Sequence, residues 1–105
     1  MTKTKAKRRV KVKTRLYDSA EYLDTPEAIA AYLTEALEEA DPSFIAKAIG
    51  TAARARGMSA IAREAGVSRE NLYRALSGET KPEFDTIRRV LDALGVRLEV
   101  KPKAA

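Results

Sequence analysis

Met58-Ser59-Ala60-Ile61-Ala62-Arg63-Glu64-Ala65-Gly66-Val67-Ser68-Arg69-Glu70-Asn71-Leu72-Tyr73-Arg74-Ala75-Leu76 is the stretch that decides the fold. Gly66 falls where a tight turn between two helices needs a positive φ, which a residue without a Cβ adopts readily. Ala62, four residues earlier, is small enough to let two helices cross closely. Val67 can plug the turn into a core, and the Ser68 hydroxyl is placed to cap the next helix. Leu72, Ala75 and Leu76 then form an inward stripe, spaced i, i+3 and i+4. The pattern predicts one short helix over about 58–65 and a second that begins at Ser68 and stops before Gly78. Together they read as a helix-turn-helix over 58–77.

That stripe fixes what points outward: Arg69, Glu70, Tyr73, Arg74 and Ser77. Arginine can fork onto guanine O6 and N7, glutamate can accept from cytosine N4, and tyrosine can meet a phosphate or a thymine methyl. In a helix-turn-helix the first half of the second helix reaches base edges. Arg69, Glu70, Tyr73 and Arg74 are therefore candidates for base contact on double-stranded DNA. Ser59, Ser68 and Lys81 suit phosphates, the two serines through backbone N–H groups at helix starts. A plain helical hairpin with solvated charges would show the same outward side chains. The Ala-x-x-x-Gly-x-Ser spacing and the stripe behind it favour the DNA reading.

Working outward, the rest of the chain supplies three more helices. Thr25-Pro26-Glu27 is a start signal: a hydroxyl cap, proline at the first helical position and an acid in the first turn. Ile29, Leu33, Ala36, Leu37 and Ala40 follow at helical spacing, which predicts a helix over about 25–40. Asp41-Pro42 starts another, with Ile45, Ala48, Ile49 and Ala52 on one face and Gly57 as its stop. Gly50 inside it costs roughly 1 kcal/mol relative to alanine and could admit a close neighbour. The last helix is expected over about 83–94, with Phe84, Ile87, Val90, Leu91 and Leu94 inward. Val96, Leu98 and Val100 then alternate with Arg97, Glu99 and Lys101, the pattern of a half-buried strand. A lone strand needs a partner. The alternating Val10, Val12, Thr14 and Leu16 could supply it, or the same strand of a second subunit could, giving a two-fold dimer.

Charge divides the chain of 105 residues into three blocks. Residues 1–16 carry eight bases and no acid, residues 17–46 eight acids and no base, and residues 47–105 twelve bases and seven acids. Blocks of opposite sign suit different partners, although the acidic block could also pair with the basic arm. The arm itself has three readings: phosphate or minor-groove contacts, RNA contacts, or a solubilising tail. Histidine and cysteine are both absent. With them go the usual general base, the commonest metal ligands and any disulfide, and no Gly-rich phosphate loop is present. The chain is read as non-enzymatic, with no cofactor and no metal. No apolar run approaches the ~20 residues of a membrane span, and no apolar stretch follows the basic N-terminus. Those features place it in the cytoplasm.

From Tyr17 to Val100 the chain resembles the addiction-module antidote proteins, HigA-like antitoxins with a Cro/repressor-type (XRE) helix-turn-helix. The resemblance is carried by Tyr17-Asp18-Ser19-Ala20-Glu21-Tyr22-Leu23, by Ala28 to Ala40, by Ala53-Arg54-Ala55-Arg56-Gly57-Met58, by Ile61 to Leu76 and by Val90 to Gly95. It implies a toxin–antitoxin operon, autorepression of that operon, and a partner similar to the RelE/ParE toxins, which often cleave mRNA at the ribosome. The Lys-rich arm is longer than is usual in the family. A toxin that handles RNA presents a basic surface. The acidic block could dock there through Asp18, Glu21, Asp24, Glu35, Glu38 and Glu39, with Tyr17, Tyr22 and Leu23 as anchors. Alternatively, Tyr22 and Leu23 pack on the chain's own core.

The expected protein is all-α: a five-helix Cro/repressor-like domain with a short C-terminal β-strand. Residues 1–16 form a basic flexible arm, 17–100 the DNA-binding and antitoxin domain, and 101–105 a tail. It is expected to be a homodimer. A free-standing regulator without a toxin, or a helical interaction module that never meets DNA, would share these features.

Overall fold

The computed structural model describes residues 22–39 and 41–104. Expectations that fall on the basic arm, on Tyr17, Asp18, Glu21 and Ala40 lie outside those residues. Five helices are present among the described residues: α1 (Pro26–Leu37), α2 (Pro42–Arg56), α3 (Met58–Ala65), α4 (Arg69–Ala75) and α5 (Phe84–Ala93). The fold is all-helical, and no described helix is long and apolar enough to cross a membrane.

The helix starts follow the side chains that cap them. Thr25 is extended and its Oγ1 accepts from the Ala28 N–H at 3.1 Å, just ahead of Pro26. Asp41 does the same for the Ser43 N–H at 3.1 Å, ahead of Pro42. Each cap satisfies a donor that a helix start otherwise leaves open. The end of α1 differs from the expected one. The helix stops at Leu37, and Glu38 and Glu39 donate in short i→i−3 bonds to Glu35 and Ala36. Asp41 precedes a proline, which disfavours helical backbone there, so α1 cannot run on into α2.

α3 sits at the centre, packed against α2, α4 and α5, while α2 also meets α1. Ala48, Ile49 and Ala52 are buried as expected, but so are Ala46, Gly50 and Ala53, because neighbours cover α2 on more than one side. Gly50 shows why a small residue stands there. A Cβ added at that position would lie 3.2 Å from the Leu76 carbonyl oxygen and 3.3 Å from the Leu76 Cβ. The end of α4 is thus seated directly on α2.

The inward stripes need two corrections. Leu37, expected to face the core, is 49% exposed, and Phe84 is 68% exposed. Both stand in terminal turns, Leu37 in the last of α1 and Phe84 in the first of α5, where helical phase no longer guarantees cover. Tyr32, outside the expected stripe, is buried. The remaining members hold: Ile29, Leu33, Ala36, Val90, Leu91 and Leu94 are buried in one cluster, and Ile87 packs against it.

The strand expected over 96–100 is not formed among the described residues. The Val96 N–H donates to Leu91 at 3.0 Å and closes the end of α5; among the described residues no backbone hydrogen bond follows it. Val96 packs against the core, Leu98 is exposed, and Val100 is 96% exposed. Strand backbone requires a partner, and no described segment pairs with this one.

Candidate nucleic-acid interface

α3 and α4 are joined by Gly66, Val67 and Ser68. Gly66 is left-handed (φ 75°, ψ 31°), and its N–H donates to Arg63 at 3.2 Å. The next N–H, that of Val67, reaches back to the Ala62 carbonyl at 3.0 Å. This paired closure of a helix end places a left-handed residue first and an apolar contact second. Val67 supplies that contact by packing on the core. Ser68 then turns the chain into α4, its Oγ accepting from the Asn71 N–H at 3.0 Å. Ser68→Ala should therefore lower folding stability by ~0.5–2 kcal/mol in chemical denaturation, through loss of the cap.

The turn and stripe decide which side of α4 is presented. Leu72, Ala75 and Leu76 are buried beneath it. Arg69, Glu70, Asn71, Tyr73 and Arg74 are exposed. The outward side chains are not independent of one another. Arg69 Nη2 donates to the Tyr73 hydroxyl at 3.3 Å, and the guanidinium carbon stands 5.4 Å from the centre of the Tyr73 ring. Arg74 Nη1 donates to Asn71 Oδ1 at 3.2 Å. Both arginines are thus steered by a neighbour one turn away, which reduces the freedom they lose on meeting a ligand. Asn71 is the residue that the sequence reading passed over. Its i, i+3 spacing to Arg74 was the available signal.

Ser77 plays a different part from the one expected of it. It is half-buried; its hydroxyl donates to the Arg74 carbonyl at 3.0 Å and accepts from the Glu79 N–H at 3.1 Å. The Thr80 hydroxyl donates to the same Arg74 carbonyl at 3.0 Å. These bonds fold the following loop back onto the end of α4 and leave the neighbouring Lys81 exposed. Ser59 is exposed in the first turn of α3, a helix that starts on Gly57 with no side-chain cap. Its opening N–H groups therefore suit an anionic ligand.

The acidic segment is divided by burial. Asp24, Glu38 and Glu39 are exposed, and Glu35 is half-buried and engaged. Tyr22 is 64% exposed, whereas Leu23 is 3% exposed and belongs to the core. A docking partner cannot use Leu23 as an anchor while the fold is intact.

A family model described as "Probable addiction module antidote protein" matches residues 13–102. The chain belongs to this family. The matched residues take in every described helix and begin inside the Lys-rich arm, so most of that arm lies ahead of the family's shared region. The antidote is also 48% identical over 85 residues to an uncharacterised protein of Haemophilus influenzae, covering 81% of this chain and 88% of that one. No solved structure matches it. As an antidote of an addiction module, the protein has a toxin as its general partner.

Proposed function

We propose that this antidote is the DNA-binding antitoxin of a type II toxin–antitoxin module. In this reading it represses its own operon through α4 and neutralises a RelE/ParE-like toxin by direct binding. The observation that carries the DNA half is the division of α4. Leu72, Ala75 and Leu76 hold it to the core, while Arg69, Glu70, Tyr73 and Arg74 stand in solvent. A cationic face with forked donors and a carboxylate acceptor has the chemistry of base-edge readout in a major groove. Ser59 and Ser68 at the helix starts, with Lys81 beside the end of α4, would hold phosphates and set the register. Asn71 joins them as the positioning residue for Arg74. Ser77 shapes the loop.

The protein acts without catalysis, in the cytoplasm, as a homodimer on a pseudo-palindrome with half-sites about one helical turn apart, ~10 bp. Family membership favours an antitoxin over a free-standing regulator. The toxin half rests on charge: residues 17–46 carry eight acids and no base. Such a segment complements the basic surface that an RNA-handling toxin needs. Tyr22, Asp24, Glu38 and Glu39 are the described members open to a partner, and Tyr17, Asp18 and Glu21 belong to the proposed set by their chemistry alone.

A mobility-shift titration against the DNA upstream of its own gene tests the first half. A saturable shift that survives excess random DNA is expected. Binding no tighter than to random DNA would exclude the repressor. For the second half, an Asp24→Lys, Glu38→Lys, Glu39→Lys variant should retain little of the co-expressed neighbouring toxin in a pull-down. Retention equal to that of the parent would exclude docking through this segment.

A further inference from the structure

The side of the molecule formed by α1, α2 and α5 carries an apolar groove of about 360 Å³, lined by Leu37, Ile45, Phe84, Ile87, Val96 and Leu98. Phe84, Leu37 and Leu98 are among the largest apolar groups that the fold leaves in water. The C-terminal segment runs along this groove with no strand pairing among the described residues, and Val100 beyond it is almost fully exposed. Exposed apolar groups collected in one place signal an interaction surface.

We propose that the occupant is a second copy of this chain, joined by antiparallel pairing of the two 96–100 segments about a two-fold axis at Leu98. The sequence Val96-Arg97-Leu98-Glu99-Val100 is complementary to itself in that register. Leu98 lies opposite Leu98 of the partner, Val96 opposite the partner's Val100, and Arg97 opposite the partner's Glu99, each unlike pair occurring twice. Opposed residues of an antiparallel pair share a face. The apolar face of the ribbon is then Val96, Leu98 and Val100 from both copies, and it can rest on both grooves. Arg97 and Glu99 are exposed, as the outer face of such a ribbon requires. Glu99 has a competing contact with Lys101, but at 3.9 Å between exposed groups it is weak. A bare two-stranded ribbon is marginal in water, and the two grooves supply the cover that it needs.

Charge also argues against the alternative occupant within the chain. The polar side chains between Val10 and Leu16 are Lys11, Lys13 and Arg15 together with Thr14, so the segment offers no acid to Arg97 or Lys101. Self-pairing gives Arg97 and Glu99 an unlike partner each.

This inference deepens the homodimer of the proposed function and rests on that part of it, independently of DNA and toxin. The test is sedimentation equilibrium of the full chain, with helicity followed by circular dichroism. Arg97→Glu and Glu99→Arg each set two like-charge pairs across the axis and should weaken dimerisation about tenfold. The double variant restores unlike pairs in reversed order and should return to within about threefold of the parent. A double variant no better than either single one would overturn the register. Dimerisation unaffected by all three variants would overturn the surface while leaving a dimer through another face. A chain that stays monomeric throughout would remove this proposal and the homodimer together. Finally, loss of the dimer on deletion of residues 1–16, with full insensitivity to the 97 and 99 variants, would assign the groove to the arm. Operator shift data decide the DNA reading separately.

Discussion

Arg69→Ala and Arg74→Ala are each expected to weaken binding to the operator by ~1–3 kcal/mol, roughly 5- to 150-fold, with a far smaller loss on random DNA. The selectivity of the loss is the informative part. A guanidinium that forks onto a base is worth little where that base is absent, whereas one that only neutralises phosphate is missed equally on any duplex. Equal losses on operator and random DNA would therefore reassign both arginines to the backbone. Neither substitution should move the unfolding midpoint much, because both side chains are exposed. Lysine is not expected to rescue either position, since it lacks the planar fork. The measurement is fluorescence anisotropy at fixed salt, because electrostatic binding varies steeply with ionic strength. Asn71→Ala offers a finer check: it removes the acceptor that holds Arg74 Nη1 at 3.2 Å and should reproduce part of the Arg74→Ala effect.

Leu72→Ala should lower folding stability by ~2–5 kcal/mol in a urea titration. Leu72 is 0% exposed and anchors the middle of α4 to the core. Truncation removes apolar burial and leaves a cavity that the surrounding helices can close only in part. Against the ~5–15 kcal/mol that holds a typical domain together, this single change takes a large share. The loss should appear as a lower midpoint with little change in slope. A loss below about 1 kcal/mol would mean that α4 is not seated as described, since large-to-small changes at well-packed sites cost more. Leu98→Ala, by contrast, should barely affect a monomer, because Leu98 is exposed.

Much of the fold was legible because its boundaries are written in local chemistry. Thr25-Pro26, Asp41-Pro42, Ser68 and Gly66 each act within a few residues of themselves, so the helices begin and turn where those residues stand. The outward face of α4 followed from the stripe of Leu72, Ala75 and Leu76 by geometry alone. What could not be read was cover. Periodicity gives the angle of a side chain around its helix but not whether a neighbour extends far enough to meet it. Leu37 and Phe84 have the right phase, yet both stay exposed. Ala46 and Ala53 are buried because α2 is flanked by α1 and α3, which is a tertiary fact. The local role of Ser77 was hidden for a related reason: its hydroxyl bonds a carbonyl and an N–H in its own turn, bonds that appear only once the loop has folded back. The pattern at 96–100 is visible in the sequence, but a strand is a relation between two segments.

The seating of the end of α4 on Gly50, and the exposure of its outward residues, have an evolutionary consequence. Side chains at 69, 70, 73 and 74 stand in solvent, with Arg69 on Tyr73 and Arg74 on Asn71, while the hold on the body runs through Leu72, Ala75 and Leu76. Under the proposed DNA reading, changes at the outward positions would leave that hold intact, so duplicated copies in one genome would diverge in the sites they occupy without compensating mutations in the interior. Position 50 has less latitude, because a Cβ there would press on Leu76 at 3.2–3.3 Å. In that reading a handful of codons redraws regulatory wiring, while the glycine codon answers to the fold.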